Sequence, residues 1–244
     1  MRSEFTLGAV LVAAVALVTG FTATRADGPA TVYAAASLTD VFPKVSPSSR
    51  FQFAGSNQLA LQISRGAPAD VFASASPVYT QRLFRDGLVE KPRTFATNSL
   101  VLAVPRSNPA KIRSVFDLAK RPELKLVVAG QKVPIGLYTR EVLKRLALLK
   151  VLRKAVSQEP DVKGIVGKLA LGEADAGFVY ATDIRAASSR LIAIPLPKRS
   201  QPTVRYEVAV VDGSKNREAG LEFVADLLSS DGRRELKQAG FGLP

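Results

Sequence analysis

Five short polar turns carry the residues of this 244-residue chain that could do chemistry. Ser37 follows the β-branched and aromatic run Thr31-Val32-Tyr33 and three alanines, and Ser56 follows Gly55, a residue that permits close backbone approach. Ile135 stands behind Pro134, Val162 behind Asp161, and Tyr180 ends the apolar run Gly177-Phe178-Val179. Four of these turns open a helix, where the first backbone N–H groups have no intrahelical partner, and the fifth ends a strand in a phenol. Together they offer hydrogen atoms, which is what an anion requires. Each turn also has an architectural reading. Ser37 caps its own helix with Asp40 completing a capping-box-like pair, Ser56 and Asp161 cap theirs, Pro134 begins a helix, and Tyr180 packs at an edge. Taken singly, no turn separates the two readings.

Composition narrows the chemistry by exclusion. The chain has no cysteine and no histidine. Disulfides, thiolate nucleophiles, Cys/His zinc sites and histidine-based acid/base triads are ruled out. No Gly-x-Ser-x-Gly or Ser-x-x-Lys motif occurs, so an exported serine hydrolase is a poor fit, and pairs such as Glu173 and Asp175 read as a solvated turn. The formal charge of +13 attracts anions, but its lysines and arginines are dispersed, which speaks for a solvated surface and against a nucleic-acid or membrane-binding face. Residues 1–26 read as an export signal: Arg2, an apolar run from Leu7 to Phe21, and Thr24-Arg25-Ala26 as a small-x-small cleavage site. The run is short for a membrane span, so an exported protein beginning near Asp27 is expected.

The elements that must position the five turns alternate strand-like and helix-like from Thr31 onward. Strands are expected near 31–35, at 51–53, after the Gly66-Ala67-Pro68-Ala69-Asp70 loop, at 99–104, 126–129, 176–180, 191–194 and 205–211. Helices are expected over 59–63, 78–85, 136–149, 162–171, 218–228 and 231–239, and the few residues between Asp40 and Phe53 allow only a short first helix. Repeated βα units mean a mostly parallel sheet covered by helices, an α/β protein. The segment between the long strands at 99–104 and 205–211 is self-contained. That nesting predicts two lobes: 27–104 with 205–244 as the first and 105–204 as the second, hinged by two crossing strands near 103–106 and 203–207. No internal repeat is evident.

The segments resemble, in order and spacing, the periplasmic molybdate-binding proteins of ABC importers, two-lobed substrate-binding proteins of the type II class. The resemblance runs from about Thr31 to Pro244. It rests on AAASLTD at 34–40, GAPADVF at 66–72, VPIGLY at 133–138, GEADAGFVY at 172–180 and the closing Ala239-Gly240-Phe241. It implies a tetrahedral oxyanion in the cleft, held by the hydroxyls of Ser37 and Ser56, the amides of Ile135 and Val162, and the phenol of Tyr180. These would touch the oxyanion's oxygens, with no direct ligation of its metal. Further implications are a periplasmic monomer without a cofactor, molybdate or tungstate as cargo, and a membrane permease as partner. The same fold holding sulfate or phosphate is the competing expectation.

Overall fold

A computed structural model describes residues 28–244. The expected export segment at 1–26 lies outside the described residues. The strands are β1 (Thr31–Ala35), β2 (Arg50–Ala54), β3 (Val71–Ser74), β4 (Arg93–Asn98), β5 (Leu100–Pro105), β6 (Leu126–Ala129), β7 (Ala155–Glu159), β8 (Ala176–Tyr180), β9 (Leu191–Pro195) and β10 (Val204–Val210). They form two five-stranded sheets, ordered β2-β1-β3-β10-β4 and β7-β6-β8-β5-β9. In the first sheet β1 runs parallel to β2 and β3, and β10 is antiparallel to both β3 and β4. In the second, β6 runs parallel to β7 and β8, and β5 is antiparallel to both β8 and β9. In each sheet one strand opposes the other four, and in each it is a strand that has just crossed from the other sheet.

The helices are α1 (Phe42–Val45), α2 (Ser56–Ser64), α3 (Pro77–Arg85), α4 (Asp117–Lys120), α5 (Pro134–Arg145), α6 (Val162–Ala170), α7 (Ala181–Ala186), α8 (Arg217–Leu228) and α9 (Ser230–Gln238). As the spacing requires, α1 is a single four-residue turn. It delivers Phe42 to an aromatic cluster with Phe95 at 5.8 Å and Phe223 at 5.3 Å between ring centroids. Phe223 comes from α8, so the C-terminal helices return to the first lobe. Each such pair adds about 0.5–1.5 kcal/mol beyond its buried area. Asp70 fastens the same lobe: its carboxylate accepts from the Thr31 amide at 2.7 Å and from the Ser214 hydroxyl at 2.5 Å.

The first change of sheet falls at Ser99, between β4 and β5, five residues ahead of the 104/105 boundary expected from sequence. The run 100–104 is apolar throughout because β5 is enclosed by β8 and β9 inside the second sheet, and apolar character does not say to which sheet a strand belongs. The chain returns between Pro195 and Val204. Gln201 ties the two crossings, its side chain accepting from the Leu100 amide at 3.0 Å and donating to the Leu100 carbonyl at 2.7 Å.

Candidate oxyanion site

The C-terminal ends of β1, β2, β6, β7 and β8 face one another across the gap between the sheets, where open α/β folds place ligands. A cavity of about 10 Å³ lies there, and all five residues singled out above line it: Ser37, Ser56, Ile135, Val162 and Tyr180. Pockets for organic ligands usually enclose about 300–1,000 Å³, so this one suits a single small ion. Among the described residues lining it none is a lysine or arginine, and the one carboxylate is Asp161. That carboxylate caps α6 by accepting from the Gly164 amide at 3.1 Å, which turns its charge back onto its own helix.

Neither serine caps its helix. Ser37 lies in a single 3-10 turn, Ala36–Leu38, and its hydroxyl is 2.9 Å from the Tyr206 hydroxyl. Asp40, the other half of the alternative capping pair, instead meets Lys163 at 2.6 Å. Ser56 is the first residue of α2, and its hydroxyl oxygen accepts from the Ala75 amide at 3.1 Å, which links the ends of β2 and β3. Pro134 opens α5, as its fixed φ and missing N–H favour. The amides of Ile135 and Val162 then fall in the first turns of α5 and α6, where helix geometry leaves N–H groups over.

Tyr180 is 2% exposed and its hydroxyl has no hydrogen-bond partner among the described residues. Burial raises its pKa well above the usual phenol value, so it stays a neutral donor. An orphaned hydroxyl of this kind costs about 1–3 kcal/mol unless something in the cavity accepts from it.

The lobes are closed over the cavity. Tyr138 on α5 donates to the Ala75 carbonyl at 3.3 Å, Tyr79 on α3 donates to the Lys132 carbonyl, and Lys163 on α6 pairs with Asp40. At Gly55 the contact is backbone on backbone, since a Cβ there would stand 2.5 Å from the Pro160 carbonyl oxygen of the other lobe. Sequence reasoning did not anticipate Tyr206, Asn98, Lys163 or Asp183 around the site. Tyr206 sits inside β10, where apolar patterning hides a polar role, and Asn98 is the last residue of the polar edge strand β4. Asp183 accepts from the Tyr180 amide at 3.1 Å and lies 3.6 Å from the Lys163 ammonium.

Residues 30–242 match the family model described as bacterial extracellular solute-binding protein. The molybdate-binding protein of Mycobacterium tuberculosis is 35% identical over 223 residues, covering 87% of this chain and 84% of that protein. The structure of the periplasmic molybdate-binding protein of Azotobacter vinelandii superposes with a TM-score of 0.76 at 22% identity, over 88% of this chain and 99% of that one. The sulfate-binding protein of M. tuberculosis reaches the same TM-score of 0.76 at 16% identity, over 88% of this chain and 86% of that one. These two likenesses speak for the fold alone. With two sheets of the same plan, a small cleft between them and a family match over almost every described residue, the chain belongs to the bacterial extracellular solute-binding proteins.

Proposed function

We propose that this protein captures molybdate between its lobes and hands it to an ABC importer, and that tungstate is accepted too. The observation that carries the reading is the buried, partnerless Tyr180 hydroxyl in a small cavity otherwise edged by serine hydroxyls and helix N-termini. Such a cavity recognises an anion by neutral dipoles. Each charge-assisted hydrogen bond contributes about 1.5–3 kcal/mol net, so several replace a hydration shell without a counter-ion. A protonated oxyanion such as hydrogen phosphate leaves its own hydrogen facing donors, at about 1–3 kcal/mol. Sulfate brings no proton and is excluded only by size, its bonds being shorter than those of molybdate or tungstate.

The relatedness to molybdate-binding proteins supports the choice of cargo, and the three contacts between lobes support a closed state that a permease could recognise. Export to the periplasm and action as a monomer belong to the same reading. Isothermal titration of the purified chain with molybdate, tungstate, sulfate and phosphate tests it. Heat is expected with the first two alone; an equal response to sulfate would move the assignment to a general dianion carrier on the same fold.

A further inference from the structure

We propose that Tyr206 and Asn98, neither of which lines the cavity, fix the direction of the hydrogen bond that Ser37 offers the anion. This rests on the oxyanion reading and adds two positioning residues that act one step behind it.

A serine hydroxyl has one hydrogen and can donate to only one partner. Ser37 and Tyr206 are 2.9 Å apart oxygen to oxygen, and taken alone either could be the donor. Asn98 decides between them. Its side-chain oxygen accepts from the Ser99 amide at 2.9 Å, which leaves its nitrogen facing the Thr182 hydroxyl at 3.0 Å and the Tyr206 hydroxyl at 3.5 Å. An amide nitrogen only donates. The Asn98 nitrogen cannot take a hydrogen, so of these two partners of Tyr206 only Ser37 can accept the single phenol hydrogen, while Tyr206 accepts from Asn98. With a lone pair of Ser37 so occupied, the hydrogen of Ser37 is left for the cavity. Burial favours the neutral phenol at Tyr206, so the hydrogen it passes on is held in place.

Ser56 reaches the same state by a different route, because its oxygen accepts from the Ala75 amide and its hydrogen is likewise left over. Two serines that follow separate strands are both converted from ambivalent groups into donors. That is what discrimination against a protonated anion requires, since a serine free to turn would accept the anion's proton and lose the distinction.

Three variants and their combinations test this by calorimetry with molybdate. Tyr206→Phe keeps the ring packed against Phe95, Tyr180 and Phe241 and is expected to raise Kd about tenfold. Added to Ser37→Ala it should cost no more than about twofold further, because coupled residues do not lose affinity additively. Asn98→Asp replaces a donor with an acceptor and reverses the chain, so it should weaken binding about tenfold more than Asn98→Ala does. That excess should shrink in the Tyr206→Phe background, where only charge repulsion survives. Additive losses for Ser37 and Tyr206, an unchanged Kd in Tyr206→Phe, or an Asn98→Asp excess undiminished without the phenol would each overturn the relay. A lower melting temperature with affinity retained would do the same. Should Tyr206→Phe not fold, the Asn98→Asp excess over Asn98→Ala is read in the Ser37→Ala background: an excess smaller there than in the wild-type background sustains the relay, and an undiminished one overturns it. A wild-type chain giving no heat with molybdate would remove the oxyanion reading itself, whereas normal wild-type binding beside an unaffected Tyr206→Phe would remove only the relay.

Discussion

The two sheets follow one plan and bring different chemistry to the same place. β1, β2 and β3 of the first sheet correspond in order to β6, β7 and β8 of the second. The turns after β1 and β2 supply Ser37 and Ser56, while those after β6 and β7 supply Ile135 and Val162, and β8 ends in Tyr180 where β3 leads to Ala75. On the proposed reading, one wall binds through side-chain oxygens whose hydrogens must be aimed. The other binds chiefly through backbone amides, aimed already by the helices they begin. A substitution can delete a contact on the first wall, but on the second it can only displace one.

The largest effect separates the walls directly. Ser37→Ala with Ser56→Ala removes two charge-assisted bonds, about 3–6 kcal/mol together, and should weaken molybdate binding roughly a hundredfold to ten-thousandfold. Ile135→Ala and Val162→Ala keep their amides and should change Kd only severalfold. Titration calorimetry on both pairs breaks the comparison if the alanines of the second wall prove as damaging as those of the first. Ser56→Ala carries a further cost of about 1 kcal/mol in stability, because the Ala75 amide loses its acceptor.

Tyr180 is the second wall's one side-chain donor, and its loss should resemble half of the first wall's. Tyr180→Phe is expected to raise Kd about tenfold to a hundredfold, in keeping with about 1.5–3 kcal/mol for one such bond. The empty protein should melt no lower than wild type, since the hydroxyl removed has no partner to lose. A fall in melting temperature without ligand would mean that the phenol is bonded in the empty state.

Gly55 tests where the walls touch. Its φ of −61° and ψ of 133° suit any residue, and the nearest atom a Cβ would meet inside the first lobe is Asn57 Oδ1 at 2.8 Å, a side-chain end that no hydrogen bond holds among the described residues, so Gly55→Ala should strain that lobe little. Its Cβ would lie 2.5 Å from the Pro160 oxygen across the cleft. Closure should cost about 1–3 kcal/mol more, the usual range for overpacking, with Kd raised and the melting temperature of the empty protein nearly unchanged. Gly136 is the counterpart within a wall: a Cβ there would stand 2.2 Å from the Gly130 oxygen of its own lobe, so Gly136→Ala should cost folding as well as binding.

The same contrast explains what could be seen in the chain beforehand. β1, β3, β5, β6 and β8 are buried, and their apolar runs announce them. The edge strands β4 and β7, Arg-Thr-Phe-Ala-Thr-Asn and Ala-Val-Ser-Gln-Glu, carry polar residues on their open side and give no such signal. Among the site residues, turns marked by Gly-Ser, Pro-Ile and Asp-Val were legible because helix starts need those residue types. Tyr206 and Asn98 were not. Their role comes from where β10 and β4 lie in space, 169 and 61 positions from Ser37 along the chain. The pairing of Lys163 with Asp40 depends likewise on two lobes meeting.

The smallest effect on binding concerns the support of the second wall. Asp183 accepts from the Tyr180 amide through one oxygen, while its other oxygen is buried without a hydrogen bond, the Lys163 ammonium being 3.6 Å away. Asp70, which supports the first wall, has both oxygens occupied. Burial raises the pKa of Asp183 from 3.8 to about 6, against the opposing pull of Lys163. A carboxyl whose pKa is higher in the folded state contributes stability that is fully present below pH 3.8 and lost as pH rises through about 6. Asp183→Asn keeps an oxygen for the Tyr180 amide and removes the buried charge. Its stability relative to wild type, from urea denaturation, should therefore grow between about pH 4 and pH 6.5 and then level off, with molybdate affinity unchanged within a few fold. A difference that stays flat over that interval would mean that Lys163 compensates the charge fully, and that the two walls are supported alike.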